Sequence, residues 1–305
     1  MKVAIVFDNQ TRSETTGFYC RRALSRLADV EHLLPSELSE VPESLFNLFV
    51  FVDDGLDYPI PEHLRPRAAW AIDTHISFAR CISRFGDADW LYAAQKMGAS
   101  EMQASLGREV TWLPLACDPE RHRPISREAE QFDFAFVGHE IGHRRIDMLN
   151  RLRASFPNHW VGQAYHTEMA RRYSQCRVAF NCSVGGDVNM RLFEAVACGK
   201  PLVTDAIGNN GLEELFDLDA HLRCYSDPDS LVAEMERLLS DEPLRRRQAE
   251  SARQHVVNCH TYTHRMQRIL ELARKGDDQH VRFSPPPQIR CVLRIRSSRC
   301  GCAGP

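Results

Sequence analysis

The chain lacks a CxxC pair, a run of 18 consecutive apolar residues and a surplus of charge of either sign. The first absence leaves its eleven cysteines without zinc-ribbon or dithiol spacing. Apart from Cys300-Gly301-Cys302 they are scattered, and Cys198 in Val196-Ala197-Cys198-Gly199 reads as a small core residue, so reduced, inert thiols are expected. The second removes a membrane-spanning helix. The third, 38 Lys+Arg against 41 Asp+Glu for a formal net charge of −3, provides no large field for nucleic acid or an anionic membrane. The opening Val3-Ala4-Ile5-Val6-Phe7 is too short for a signal peptide and reads as a first strand, so a soluble, cytoplasmic protein is expected.

What is present is an ordinary globular composition, 43% hydrophobic and 26% charged, in 305 residues, a length that suits two domains of about 150 residues. Short apolar runs at 3–7, 47–52, 68–72, 90–93 and 110–115 read as strands, and 17–27 and 96–106 as helices. This alternation predicts an α/β fold, a doubly wound parallel sheet covered on both faces. Ligands then sit beyond the C-terminal strand ends, where Asp8, Asp53, Asp73 and His75 cluster. The stretch 119–130 is polar, holds two prolines and has no apolar period, so it reads as a linker. A second alternation follows, with strands at 132–137, 178–181 and 201–204 and helices at 143–156 and 189–198. Asp227 or Ser230 caps a further helix, and two more helical stretches run to about 275. The expected organisation is 1–118, a linker at 119–131, a second domain at 132–275 and a poorly ordered basic tail at 276–305, with a ligand cleft between the two halves.

The most specific segment is 181–205, NCSVGGDVNMRLFEAVACGKPLVTD. A strand ends in a glycine-containing loop and a helix begins near Asn189, so loop amides and a helix N-terminus form an anion site. Arg191 in the first turn is poorly placed for a cation unless an anion is near, and Glu194 shares its face at i, i+3. Two readings stay open at this point. The pair could bind a diphosphate and a ribose diol, or it could be a surface ion pair of little energetic weight.

The segment Asn189-Met190-Arg191-Leu192-Phe193-Glu194-Ala195 through Cys198-Gly199-Lys200-Pro201-Leu202-Val203-Thr204-Asp205 resembles the nucleotide-sugar loop of GT-B glycosyltransferases in their CgeB-like version. The likeness extends to Asp73-Thr74-His75, to Pro114-Leu115-Ala116-Cys117-Asp118-Pro119, to Gly138 followed by Arg144-Arg145, to Tyr225-Ser226-Asp227 and to His260-Thr261-Tyr262. The resemblance implies two Rossmann-like domains facing a cleft, with a nucleotide diphosphate-sugar donor in the C-terminal one. It implies hexosyl transfer to an acceptor glycan, protein or small molecule, without a metal or other cofactor. Glu194 is placed as the ribose ligand, and Arg191, Asn189 and one of Arg144 or Arg145 as diphosphate contacts, with Gly138 and Gly17 letting backbone approach the donor. Asp73 or His75 is the candidate base, against the plainer reading that Asp73 caps a helix and His75 packs. Related retaining enzymes carry a glutamate eight positions before the second one; Gly186 stands there in this chain. A relative that binds nucleotide or glycan without turnover is the alternative.

His139-Glu140-Ile141-Gly142-His143 matches HExxH, the zinc-peptidase signature. It directly follows an apolar strand and so reads as a strand-to-helix turn, where the two histidines would not share a helix face. The Arg245-Arg246-Arg247 run reads as a solvated helix face, and His122 as a surface or core histidine without ligand spacing.

Overall fold

The computed structural model describes residues 1–11 and 15–278. The N-terminal half runs β1 (Lys2–Val6), α1 (Thr16–Leu24), β2 (Asp29–Leu33), β3 (Leu48–Val52), β4 (Arg67–Ala71), α2 (Phe78–Phe85), β5 (Trp90–Ala93), α3 (Lys96–Leu106) and β6 (Thr111–Trp112). Its six strands are all parallel in the order β2-β1-β3-β4-β5-β6. Every residue of β3 and β4 is buried, because helices cover both faces of a parallel sheet and a continuous apolar run is the only pattern that suits. Alternation still sorts the faces: Val3 and Ile5 enter one core, Ala4 and Val6 the other.

The C-terminal half runs β7 (Phe132–Val137), α4 (His143–Ser155), β8 (His159–Gly162), α5 (His166–Ser174), β9 (Cys176–Phe180), α6 (Met190–Ala197), β10 (Leu202–Asp205), α7 (Leu212–Leu215), β11 (Leu222–Tyr225), α8 (Pro228–Ser240), α9 (Glu242–Cys259) and α10 (Tyr262–Asp278). Its strand order is β11-β10-β9-β7-β8, again parallel. In each sheet the order reverses beside the first strand, between β1 and β3 and between β7 and β9. Such switch points open a crevice at the C-terminal strand ends.

Three expectations change. The stretch 119–131 is docked rather than a free spacer. His122 within it has no solvent exposure, and the Ile125 amide donates to Ser174 Oγ at 2.9 Å. Arg245 is no solvated residue: it is buried and donates to the Leu238 carbonyl at 2.9 Å, satisfying the open end of α8. Helix α10 extends to Asp278, three residues into the expected tail; the remainder of that tail lies outside the described residues.

The last helix returns to the first half. On either side of Thr261, the Cys117 amide donates to the His260 carbonyl at 3.0 Å and the Tyr262 amide donates to the Cys117 carbonyl at 2.9 Å. Arg265 donates to the carbonyls of Pro114 and Leu115 at 2.6 and 3.1 Å. Tyr262 stacks on Tyr19 of α1 at 5.3 Å between ring centroids. One apolar cluster therefore runs from β1 through Cys117 and Tyr262 into α6. No helix among the described residues is long and apolar enough to cross a membrane.

Candidate functional site

Residues just past the C-terminal ends of β4 and β5 meet residues just past β9 and β10, so the two crevices face one another. The Val188 amide donates to Gln95 Oε1 at 2.9 Å. Asn210 Nδ2 donates to the same oxygen at 2.8 Å and to the Gly186 carbonyl at 2.9 Å, and the Met97 amide donates to Asn210 Oδ1 at 3.2 Å. The loop 183–188 is thus held from both halves. Gly185 and Gly186 within it have φ of +62° and +78°, with open space where a Cβ would point.

On the N-terminal side, the turn carrying Asp73 and His75 hangs from a buried carboxylate: the amides of Ile72 and Asp73 donate to Asp53 Oδ2 at 3.1 and 3.2 Å. Asp73 does not cap α2, whose N-cap is Ser77; instead its carbonyl accepts from the amides of Ile76 and Ser77. His75 Nε2 lies 3.9 Å from Asp187 Oδ2 across the crevice. Burial pushes the Asp187 carboxyl above its ordinary range, against the opposing pull of the Val184 amide and of His75. Gly17 lies in the first turn of α1, where a Cβ would enter the Phe7 ring. It allows α1 to pack on the end of β1, a steric need inside the N-terminal half.

On the C-terminal side, three guanidinium groups are held along the C-terminal ends of β7, β9 and β10. Arg144 and Arg145 stand in the first turn of α4, which has no acidic residue there and no side-chain cap. Arg144, half exposed, donates to Asp205 Oδ2 at 2.6 Å. Asp205 also accepts from the Ser183 amide at 2.8 Å and from its hydroxyl. Burial opposes the Arg144 charge, but Asp205 raises its pKa overall. Arg145 donates to the carbonyls of Cys182 at 3.1 and 2.6 Å and of His139 at 2.9 Å. Gly138 ends β7, its amide donating to Gly162.

Arg191 is the third. Its Nε donates to the Val137 carbonyl at 3.1 Å and its Nη1 to Glu194. Its side chain is 19% exposed, whereas Glu194 has no exposure at all. Burial works against the Arg191 cation, yet the adjacent carboxylate outweighs it and raises its pKa. One reading of this pair needs correction: it is no surface ion pair, because the Glu194 carboxylate has no solvent exposure. Asn189 is likewise engaged, its carboxamide oxygen capping α6 at the Arg191 amide, 3.1 Å away. The anion that makes Arg191 tolerable at a helix N-terminus is Glu194 itself.

Sequence reasoning passed over the groups behind Glu194. His122 Nε2 is 3.5 Å from Glu194 Oε1 and 3.2 Å from the Tyr19 hydroxyl. That hydroxyl lies 3.4 Å from Nδ1 of His166, a non-glycine residue at φ +50°. Burial pushes His122 below its ordinary pKa. A histidine in a polar, proline-containing stretch carries no local sign of such burial. The HExxH residues do not form a metal site. His139 lies in the loop before Gly142 (φ +82°), His143 starts α4, and Glu140 pairs with Arg153 at 2.8 Å. Among the described residues no group of three His, Cys, Asp or Glu could hold a metal ion.

With this geometry in view, residues 120–271 match the glycosyl transferase-like family. YtcC of Bacillus subtilis (strain 168), named for glycosyltransferase activity, is 28% identical over 96 residues, 31% of this chain and 24% of its own. The match thus spans about a quarter of that relative. An alpha-glucosyltransferase solved with UDP and a 13-mer DNA is 12% identical and superposes at a TM-score of 0.64 over 90% of this chain and 99% of its own. Sucrose-phosphate synthase from Thermosynechococcus elongatus is 11% identical with a TM-score of 0.63, over 91% and 99%. These likenesses establish the GT-B architecture, two Rossmann-like sheets about a crevice.

Proposed function

From the GT-B fold and the glycosyl transferase-like match over residues 120–271, we propose that this chain transfers a hexose from a nucleoside diphosphate donor to an acceptor hydroxyl, without a bound metal ion. The observation that supports this reading best is the row of Arg144, Arg145 and Arg191 along the C-terminal ends of β10, β9 and β7, with Arg144 and Arg145 in the uncapped first turn of α4. Departure of the sugar leaves the glycosidic electron pair on the diphosphate and adds a negative charge to the two it already carries, and fixed guanidinium groups with helix amides stabilise that charge as it develops. Loop 183–188, with its two left-handed glycines, lets backbone approach the donor closely. His75 takes the acceptor proton, oriented by Asp187 across the crevice.

The alternative reading is nucleotide binding without turnover. The assay that separates the two is release of nucleoside diphosphate from a panel of nucleotide sugars in the presence of EDTA. Release that is lost in Arg144→Ala/Arg145→Ala and reduced in His75→Asn supports transfer. Binding of a nucleotide with no release from any donor, with or without candidate acceptors, contradicts it.

A further inference from the structure

We infer that Asp53, in the N-terminal half, is the positioning residue that sets His75 in the crevice, with Arg80 as its counter-charge. This deepens the transfer reading and rests on it. Asp53 directly follows β3, and its amide donates to the Trp70 carbonyl of β4 at 3.0 Å. Its side chain has no solvent exposure. Oδ2 accepts from the Ile72 and Asp73 amides at 3.1 and 3.2 Å, and Oδ1 from the Gly55 amide at 3.1 Å. Arg80 Nη2 lies 3.3 and 3.4 Å from the two oxygens, and Arg84 Nη1 is 3.7 Å from Oδ1. The turn that leaves this carboxylate then closes on itself, the Asp73 carbonyl accepting from the Ile76 and Ser77 amides at 3.0 and 2.9 Å. Thr74 is buried against Gly98 of α3, where a Cβ would overlap its Oγ1. With the residues around it anchored from three sides, His75 reaches towards Asp187, 3.9 Å away.

The C-terminal half repeats the device. Asp205 at the end of β10 accepts from the Ser183 amide and hydroxyl past β9, and Arg144 from the first turn of α4 pairs with it. Asp53 past β3 accepts from the amides past β4, and Arg80 from the first turn of α2 pairs with it. Neither helix has an acidic residue in that turn or a side-chain cap. The two loops that face each other, 72–77 with His75 and 183–188 with Asp187, thus each hang from a buried carboxylate beside the neighbouring strand. Amide bonds to an ionised oxygen are about twice as strong as neutral ones, and the guanidinium offsets the desolvation of the buried charge. Such stiffness matters to proton removal, because a shift of about 1 Å can cost about a hundredfold in rate.

The test reads nucleoside diphosphate release from a panel of UDP, GDP, ADP, CDP and TDP sugars with water as the attacking group. Nucleoside diphosphate binding by calorimetry and thermal melts accompany each variant. Asp53→Leu should lower kcat about tenfold or more, the scale of a sub-ångström displacement, while donor KM and nucleoside diphosphate binding stay at their wild-type values. Asp53→Asn keeps an oxygen for the two amides and should recover most of the loss. In a His75→Asn background Asp53→Leu should cost little more, since both act on one step. Gly98→Ala presses on the same turn from α3 without disturbing the buried charge, and should show the same loss and the same non-additivity; it decides the matter if Asp53→Leu does not fold. A folded Asp53→Leu with unchanged kcat would overturn the inference. So would a loss that persists in full in the His75→Asn background, or one that runs in step with nucleotide binding. If His75→Asn alone releases diphosphate at the wild-type rate, the inference falls while transfer stands; if the wild type releases it from no donor, the transfer reading falls and the inference with it.

Discussion

His260 provides the sharpest thermodynamic consequence of this packing. Its Nδ1 accepts from the Arg265 guanidinium at 3.0 Å and its Nε2 lies 3.1 Å from His255 Nε2. Burial, then the charge of Arg265 and the neighbouring histidines, pushes its pKa down to about 2. In the unfolded chain the same ring titrates near 6.5. The folded state therefore holds a neutral histidine where the unfolded state takes up a proton. The stability this contributes is complete above pH 6.5 and is lost progressively as pH falls below it. At pH 5 the unfolded state is favoured by one and a half pH units at about 1.4 kcal/mol each, about 2 kcal/mol for this one ring. The perturbation is His260→Asn, which removes the titration and keeps a short acceptor for Arg265. Urea unfolding of wild type and variant is compared between pH 7.5 and 5. The wild type should lose about 2 kcal/mol more than the variant over that interval. Parallel pH profiles would refute the argument, because they would mean that His260 is already protonated, or solvated, in the native state.

Other consequences can be read from single contacts. Gly17→Ala places a methyl in the Phe7 ring and should lower stability by about 1–3 kcal/mol, seen as an earlier thermal transition; an unchanged transition would mean that α1 does not pack on β1 as described. Gln95→Leu leaves the Val188 amide and Asn210 Nδ2 without their shared acceptor, costing about 1–3 kcal/mol. It should also raise proteolytic cleavage within 183–188, which mass spectrometry would locate. Arg144→Ala leaves Asp205 with its two Ser183 donors, so the fold should survive while nucleoside diphosphate binding weakens about tenfold and becomes less sensitive to salt. Calorimetry at two ionic strengths checks this.

How much of this was legible beforehand follows from the physics of each element. Strand β3 is a continuous apolar run, as are β4 after Arg67 and β7 after Asp133, and such runs announce themselves. Strands β2, β8 and β11 were missed: they are short edge strands, and β2 in Asp29-Val30-Glu31-His32-Leu33 is exposed at alternate positions, so nothing apolar marks it. Helix α6 is marked by its cap and by its motif. The partner of Arg191 was visible in i, i+3 spacing, but which way the carboxylate faces was not, because burial of Glu194 depends on His122 and Tyr19, which lie 72 and 175 positions away in sequence. The same holds for Arg245: its neighbours are basic, and only the end of α8 explains its burial.

The central claim is that the β7–β9 switch point holds the diphosphate of a nucleotide sugar. Thermal denaturation in the presence of UDP, GDP, ADP, CDP and TDP, each with its common sugar conjugates, addresses it most directly. A ligand at a hundred times its Kd should stabilise the folded chain by about 2.7 kcal/mol, and Arg144→Ala/Arg145→Ala should abolish that gain. No shift with any member of the panel, or a shift that survives the double substitution unchanged, would contradict it.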